Sequence, residues 1–432
     1  MTKLVVMGGG LAGSVAALVA KATGAQVVLS KRAFGATALS CGAFDIGYSV
    51  KEARGNGPSS PLSEHMKDIA ALSVHHPYAV LEVERSFSML NCGLASLLPA
   101  LEAAGLPFAA IDLQAPNYGF ASSQGSIHQA ATAASAHIGI DWLKPLLGPI
   151  GVVQFVGDGY FDAERVALGL THDVKTFVQN QGDSMPEIRV IDIDFPGAAP
   201  PALLAKSLDE QAMQEKLLLL LQPKIQGLAG LVMPPVLGLE HHAACLKGLR
   251  EKLALPVVEA VAHIPSVPGV RLQWALDKAV KAAHIEQAEE IVSVRTHGDK
   301  VTSVRTRSGK DLETDALIVC SGRFIAGGVT CKERLEEPLL GLPVTTSMGT
   351  VDSVSSIELV SEHPELSHPL LTAGLLVDSS MRPKFEGQPV FANVYAAGMV
   401  LAGFVAPGIF CTDGVAIATA TRAALAACGS TL

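Results

Sequence analysis

The chain begins with two short apolar runs separated by a helix-prone stretch. Leu4–Met7 is an uninterrupted apolar run, which is typical of a strand buried on both faces. Gly13–Ala22 is rich in alanine and favours a helix, Gly24 ends it, and Gln26–Ser30 is a second apolar run. This order predicts a strand–helix–strand unit at the start of the chain.

Between residues 61 and 267 the pattern predicts a further α/β layer, in which apolar runs alternate with helix-prone stretches. The predicted strands are Val152–Val156, Ile188–Ile193, Leu228–Met233 and Pro256–Ala260, and the predicted helices include Asp162–Gln179 and Glu240–Leu253. A polar stretch rich in proline and glycine at 52–66 predicts the exit from the first unit.

The last third of the chain returns to longer elements. It predicts a helix over Val270–Ile285, a meander over Glu290–Arg295, Val301–Arg307 and Ala316–Cys320, a strand over Asn393–Ala396 and a helix over Gly414–Ala427. We therefore expect an α/β protein. A Rossmann-like nucleotide-binding domain is split between the chain ends, at 1–60 and 268–432, and an inserted α/β domain spans 61–267.

Composition excludes several classes of protein. The 432 residues contain 32 basic and 41 acidic side chains, so the net charge is −9, which disfavours nucleic-acid binding. Seven scattered cysteines without a CxxC pair exclude a zinc ribbon and a disulfide scaffold, fit a reducing cytoplasm, and leave no metal site with ligand spacing. The uncharged stretches Leu4–Ala20 and Gly387–Thr412 contain several glycines, and we interpret both as buried parts of a soluble protein.

The clearest chemical motif is Gly8-Gly9-Gly10-Leu11-Ala12-Gly13, which has the G-x-G-x-x-G spacing directly after the first strand. The first glycine permits a tight turn, the second lets a pyrophosphate approach the backbone, and the third lets the helix pack close to the strand. The helix N-terminus directs free N–H groups towards phosphates. The predicted cofactor contacts here are Gly8, Gly10, Leu11, Ala12 and Gly13.

The residue after the second strand departs from the usual dinucleotide pattern. An acid that binds the ribose hydroxyls is expected there, but the position holds Lys31, with Arg32 beside it. An ammonium group favours a phosphate over a diol. Three interpretations stay open: NADP with its extra phosphate at Lys31 and Arg32, FMN without the adenosine ribose, or FAD with weaker ribose contacts.

Three later stretches favour a flavin. The loop 37–43 offers hydroxyls and backbone N–H groups to a flavin ring, and the apolar run 316–320 ends in a small turn that returns to the nucleotide. The last helix has an N-terminus that suits negative charge on the flavin pyrimidine. The candidate contacts from these stretches are Leu39, Ser40, Cys41, Gly42, Ser321, Gly322, Gly398 and Gly414.

The order of the short motifs resembles that of the B subunits of anaerobic glycerol-3-phosphate dehydrogenases, flavoproteins of the fumarate-reductase-like superfamily. The motifs are the glycine stretch from Met7 to Gly13, Ser40-x-Gly42-x-x-Asp45, His76-Pro77-Tyr78, Met233-Pro234 with Gly238-Leu239, Pro265–Gln273, Ser321-Gly322 with Gly327-Gly328, Glu337–Leu342 and Arg382-Pro383. The middle motifs are the distinctive ones, since many flavoproteins share the glycine motifs. In one departure, the glycine-rich run expected near the last helix is Gly408–Gly414 with only its ends glycine.

The resemblance implies a flavin-containing partner of a catalytic A subunit, held at the inner face of the cell membrane by an iron–sulfur C subunit. Such an assembly oxidises sn-glycerol 3-phosphate to dihydroxyacetone phosphate and passes the electrons towards quinone. It also implies FMN, which agrees with the missing ribose acid, with FAD as the alternative. On this basis we expect a cytoplasmic protein that reaches the membrane through a partner.

Oxidation of a secondary alcohol needs a base for the hydroxyl proton, and a phosphorylated substrate needs cations. The candidate catalytic residues are His76, His263 and Arg271, and the candidate substrate-binding residues are Arg323 and Arg382. Two other functions stay open. One is a self-sufficient flavin dehydrogenase or reductase acting on another small acid, and the other is a non-catalytic assembly subunit that retains a flavin fold.

Overall fold

A computed structural model of the chain describes residues 1–49, 60–178, 187–195, 199–332, 334–350, 356–363, 366, 368–404 and 408–430. The chain divides into two compact units. The first unit consists of Met1–Thr37, Asp45–Ala104 and Gln273–Leu432, and the second consists of Ala38–Phe44 and Gly105–Leu272. The predicted domain bounds at residues 60 and 268 stay a prediction, and most of the polar stretch 52–66 lies outside the described residues.

A five-stranded parallel sheet is the centre of the first unit. Its strands, in spatial order, are Glu286–Ala288, Gln26–Ser30, Lys3–Met7, Ala316–Val319 and Val394–Ala396. The first strand therefore pairs with Gln26–Ser30 on one side and with a strand from the far end of the chain on the other. A Rossmann-like sheet assembled from both chain ends confirms the predicted class.

Helices cover this sheet and complete the first unit. The longer helices are Leu11–Ala22, Leu62–Ala71, Val83–Ala103 and Thr412–Ala427, and the shorter ones are Pro77–Leu81, Ser356–Leu359, Pro369–Thr372 and the 3₁₀ turn Gly398–Val400. Leu11–Ala22, Val83–Ala103 and Thr412–Ala427 pack against one another. Small side chains make this close approach possible, and Ala16, Ala17, Ala420 and Ala424 are fully buried.

The meander of the first unit differs from the prediction in its third strand. Ile291–His297 and Lys300–Thr306 pair antiparallel, but Lys300–Thr306 then pairs with Asp311–Glu313. The apolar run 316–319 belongs instead to the parallel sheet, where both of its faces are buried. The other short strands are Tyr48–Ser49 with Ile409–Phe410, Thr330–Cys331, Leu335–Glu337 and Leu342–Pro343, Thr345–Thr346 with Gly349–Thr350, and Lys384–Phe385 with Gln388–Pro389.

The second unit contains its own parallel sheet. The strands, in spatial order, are Val257–Glu259, Gly230–Met233, Ile150–Phe155 and Ile188–Ile193. The helices that join them are Ala163–Val178, Pro201–Ser207, Gln211–Leu221 with the 3₁₀ turn Gln222–Lys224, and His242–Leu253. Leu170, from the helix Ala163–Val178, belongs to one hydrophobic core, and Leu217 and Leu246, from two other helices, belong to a second core. Because helices form a core on each face of the sheet, the sheet is doubly wound.

The remaining elements of the second unit are short. They are the strands Ala43–Phe44 with Thr132–Ala133 and Tyr118–Ala121 with Ile127–Ala130, and the 3₁₀ turn Ser135–His137. The 3₁₀ turn Ala36–Leu39 and the helix Val267–Ala282 contribute residues to both units. Within the described residues, no helix combines the length and the apolar character needed to cross a membrane.

Two helical glycines of the second unit predict opposite effects of the same substitution. A Cβ at Gly169 would lie 1.9 Å from the Gly125 carbonyl oxygen, whereas a Cβ at Gly248 would meet nothing within 4 Å. Gly169→Ala should therefore lower the free energy of unfolding by more than ~1 kcal/mol. Gly248→Ala should raise it by about 0.5–1 kcal/mol because alanine favours a helix. Urea denaturation measures both, and equal stabilities would contradict this packing.

Candidate functional site

The glycine stretch Gly8–Gly13, here called the glycine loop, lies where the first strand meets its helix. Gly8 has φ +116°, and a Cβ there would lie 2.2 Å from the Cys320 carbonyl oxygen. A Cβ at Gly13 would lie 1.7 Å from the Gly8 carbonyl oxygen. Both positions therefore require glycine: Gly8 for the turn and Gly13 for the approach of the helix to the strand.

Gly10 is the least crowded of the three motif glycines. A Cβ at this position would lie 2.8 Å from Thr37 Oγ1 and 3.9 Å from Thr37 Cβ, and no other atom would lie within 4 Å. Gly10 is the N-cap of Leu11–Ala22 and brings no side chain to the helix end. Thr37 Oγ1 accepts a hydrogen bond from the Leu11 N–H at 2.9 Å. Apart from Thr37, no atom lies within 4 Å of this Cβ position, so only one hydroxyl side chain stands beside the helix N-terminus.

Two buried hydroxyls beside this loop lack partners. They are Ser14 Oγ, on the helix, and Ser321 Oγ, in the residue that follows Cys320. Neither forms a hydrogen bond with the residues that the structure describes. A buried polar group without a partner costs free energy until a ligand or water satisfies it. The glycine at position 10, the helix N-terminus and these two hydroxyls therefore fit a phosphate-bearing cofactor.

Lys31 does not point to water. Its Nζ lies 2.7 Å from Asp277 Oδ1 and 2.6 Å from Asp277 Oδ2. Its side-chain carbons cover Gly9, where a Cβ would come within 2.8 Å of the Lys31 Cδ. Arg32 is exposed, and its Nε lies 3.5 Å from Glu290 Oε1. The position of the missing ribose acid therefore holds an ion pair formed with a distant helix.

Three of the other candidate cofactor residues in the first unit are sites of close packing. Gly322 has φ +72°, in the turn after the strand 316–319. Gly398 has φ +76°, and a Cβ there would lie 2.6 Å from the Ala12 Cβ. A Cβ at Gly414 would lie 2.1 Å from the Tyr78 hydroxyl oxygen. Gly398 and Gly414 are therefore needed to pack the fold, whatever else they contact.

The start of the last helix differs from the expectation of a site for negative charge. Asp413 lies in its first turn, and Asp413 Oδ2 accepts a hydrogen bond from the Asp45 N–H at 3.0 Å. The Gly414 N–H donates to the Asp45 carbonyl oxygen. A carboxylate of the chain itself therefore occupies this helix end, which disfavours a second negative charge there.

The predicted flavin-loop residues Leu39, Ser40, Cys41 and Gly42 belong to the second unit. The Ser40 carbonyl oxygen accepts a hydrogen bond from Ser266 Oγ at 2.5 Å. Cys41 Sγ lies 3.8 Å from the Ala43 carbonyl oxygen and 4.0 Å from His128 Nε2. Gly42 has φ +97°, and a Cβ there would lie 2.4 Å from His137 Nε2. This loop is thus anchored by backbone contacts, and Gly42 makes room for a buried histidine.

The second sheet has its own topological switch point, between Ile150–Phe155 and Gly230–Met233. The helix ends that follow these strands are satisfied internally. Gln154 Oε1 accepts from the Ala163 N–H and Asp162 Oδ1 from the Arg165 N–H. Asp209 accepts from the N–H groups of Leu239, Glu240 and His241. Anionic side chains at both ends disfavour phosphate binding in the second unit, so the glycine loop is the better phosphate site.

Arg271 lies in a buried ion pair of the second unit. Its Nη1 is 2.5 Å from Glu259 Oε2, its Nε donates to the Gly238 carbonyl oxygen, and the two side chains are 3% and 0% exposed. Burial alone would raise the pKa of the Glu259 carboxyl, but the Arg271 guanidinium outweighs burial and lowers it. The positive charge is neutralised inside the fold. This arrangement suits a structural role better than the predicted catalytic one.

His76 is likewise engaged by its surroundings. It is the N-cap of Pro77–Leu81, and its Nδ1 accepts a hydrogen bond from the Tyr78 N–H at 3.1 Å. Its proton therefore resides on Nε2, which lies 3.6 Å from Cys411 Sγ. Burial lowers the pKa of His76 to about 3. A neutral imidazole with both nitrogens occupied is a poor candidate for a general base.

The three remaining candidate residues are Arg323, Arg382 and His263. Arg323 is buried, and its three nitrogens donate to the carbonyl oxygens of Met399, Leu371 and Leu401. Arg382 forms an ion pair with Asp378 at 2.8 Å. The side chain of His263 is exposed, and its backbone N–H donates to Ser123 Oγ. Both arginines are therefore engaged by residues of the first unit.

Sequence reasoning missed two residues at the glycine loop and one in the second unit. Asp277 and Gln273 contact Lys31 and Gly9 from a helix that begins more than 230 residues later, and Glu259 holds Arg271. The one local signal is that Gln273 and Asp277 are four residues apart, which places them on the same face of a helix. Long-range pairs of this kind leave no local pattern.

The fold and the glycine loop define a nucleotide-binding α/β protein. The family model described as "FAD binding domain" matches residues 3–110. Two solved structures align with most or all of the chain. A 3-ketosteroid delta1-dehydrogenase from Sterolibacterium denitrificans has 11% identity, full coverage of both chains and a TM-score of 0.43. A flavocytochrome c3 fumarate reductase has 9% identity, coverage of 99% of this chain and 78% of the other, and a TM-score of 0.43.

The resemblance inferred from the short motifs is confirmed over nearly the full chain. The B subunit of the anaerobic glycerol-3-phosphate dehydrogenase of Pectobacterium atrosepticum is 25% identical, with 98% of this chain and 97% of the relative covered. The protein of the same name from Vibrio vulnificus is 24% identical, with 99% and 96% covered. These similarities support a flavin oxidoreductase role.

The buried histidines predict acid sensitivity. Burial lowers the pKa values of His76 and His242 to about 3, against about 6.5 in an unfolded chain. Between these values the unfolded chain binds more protons, so the free energy of unfolding decreases as the pH is lowered, by up to ~1.4 kcal/mol per pH unit for each histidine. His76→Asn keeps an N-cap acceptor and should remove one such contribution. Urea denaturation between pH 7 and 5 measures it, and an unchanged slope in the variant would contradict the assignment.

Proposed function

We propose that the chain is the B subunit of an anaerobic glycerol-3-phosphate dehydrogenase. In this assembly sn-glycerol 3-phosphate is oxidised to dihydroxyacetone phosphate, and the electrons pass to a quinone through partner subunits. The observation that carries the proposal is the glycine loop at a helix N-terminus, in a chain similar along almost its whole length to proteins of that name.

The residues of the glycine loop would hold the phosphate of the flavin. Backbone N–H groups at the start of Leu11–Ala22 face an anion, Gly10 leaves room for it, and the hydroxyls of Ser14 and Ser321 supply the donors that now lack acceptors. A flavin supplies acceptance of a hydride and its onward release as single electrons. We propose FMN as the flavin and FAD as the alternative.

The state of the candidate substrate residues supports an assembly over a self-sufficient enzyme. Arg271 and Arg323 use their donors inside the protein, Arg382 is paired with Asp378, and His76 has both ring nitrogens engaged. A phosphorylated polyol needs free cations and a free base. We therefore propose that a catalytic A subunit supplies them, and that an iron–sulfur C subunit joins the pair to the membrane.

Gly10→Val tests the phosphate site. The valine would crowd Thr37 and project beside the helix N-terminus where an anion would bind, so the variant should retain less than about a tenth of the bound flavin while its circular dichroism spectrum is unchanged. Gly159→Val is the matched control, because a Cβ at Gly159 meets nothing within 4 Å in the second unit. Flavin released from purified protein is measured per chain. A fully loaded Gly10→Val protein would exclude the glycine loop as the phosphate site.

Steady-state dye reduction tests the partnership. With glycerol 3-phosphate as donor, the purified flavin-loaded chain should show little or no turnover, because four of its five candidate residues, Arg271, Arg323, Arg382 and His76, are engaged within the fold. Addition of the catalytic A subunit should restore turnover. The A subunit tested without this chain is the control for activity that does not depend on it. Substantial turnover by the isolated chain would instead favour a self-sufficient dehydrogenase.

A further inference from the structure

A small polar cluster closes one side of the glycine loop. Lys31 extends over Gly9, and its Nζ lies within 2.7 Å of both carboxylate oxygens of Asp277. Gln273 Nε2 donates to the Gly9 carbonyl oxygen at 2.8 Å and to Asp277 Oδ1 at 3.0 Å. We call Lys31, Gln273 and Asp277 the loop plug.

The plug is partly buried and tied to the loop backbone. Gln273 is fully buried, and the side chains of Lys31 and Asp277 are 20% and 35% exposed. The Phe34 ring covers the Lys31 ammonium, with 4.7 Å from Nζ to the ring centroid. A partly desolvated ion pair with several hydrogen bonds resists displacement more than an exposed pair does.

The position of the plug coincides with the path of a dinucleotide. In a Rossmann unit the glycine loop holds the phosphates, and the end of the second strand holds the ribose of the adenosine half. Lys31 is at that strand end, and its side chain is turned back over Gly9 instead of leaving the ribose position open. An adenosine ribose placed there would have to displace the Lys31 side chain and break its two contacts with Asp277.

We propose that the loop plug is a selectivity element that limits the cofactor to a flavin with a single terminal phosphate and excludes the adenosine half of a dinucleotide. This inference rests on the proposed flavin function and adds the residues that select the flavin. Gln273 has a positioning role, because it joins the ion pair to the Gly9 carbonyl. Its Nε2 makes both of these contacts, with the Gly9 carbonyl oxygen and with Asp277 Oδ1.

The test is the affinity ratio of FMN to FAD for apoprotein variants, measured by flavin fluorescence titration. Wild type should bind FMN roughly tenfold or more tightly than FAD. The double variant Lys31→Ala/Asp277→Ala keeps the net charge and removes the plug, so FAD should gain roughly tenfold relative to FMN. The exposed pair Lys310–Glu286, 3.1 Å apart, provides the matched control, since Lys310→Ala/Glu286→Ala should leave the ratio unchanged.

A conservative variant separates selectivity from general stability. Lys31→Arg keeps a cation opposite Asp277 and should keep the wild-type preference, whereas a role in folding alone would leave the ratio unchanged in every variant that folds. Equal affinities of wild type for FMN and FAD would overturn the inference, even if the double variant does not fold. An unchanged ratio in a folded double variant would also overturn it and leave the flavin function intact. Failure of wild type to bind any flavin would overturn the proposed function as well.

Discussion

The first unit depends on two close backbone contacts at the glycine loop. Gly8 lies against the Cys320 carbonyl, and Gly13 lies against the Gly8 carbonyl, each too close for a side chain. The first contact joins the start of the chain to a strand more than 300 residues later, and the second sets the helix Leu11–Ala22 against the sheet. Because both contacts converge at the carboxyl edge of the parallel strands, the helix N-terminus faces the place where phosphate binds in such folds.

Burial decides what the conspicuous polar residues do. A guanidinium taken out of water must use its donors within the protein, and Arg271 does so on Glu259 while Arg323 does so on three carbonyl oxygens. His76 caps a helix and stays neutral for the same reason. Several motifs that carry the resemblance therefore have a structural explanation: they satisfy buried polar groups.

The departure at Lys31 is compensated through the fold. A lysine alone at the ribose position would favour a phosphate, but Asp277 neutralises it and Gln273 joins the pair to the glycine loop. The acid missing from the second strand is thus present on a helix that begins at Val267. Charge, hydrogen bonding and space at this position therefore have to be considered together.

The sequence by itself determined the α/β class, the glycine loop and most strands, because apolar runs and glycine spacing act through local geometry. It placed Ile188–Ile193 correctly at both ends, and it predicted the helices at 163–178 and 412–427 to within two residues. It assigned 316–320 to the meander and judged Lys31, His76 and Arg271 by residue type. Tertiary structure alone decided those roles, because a side chain's partner and burial depend on residues that are distant along the chain.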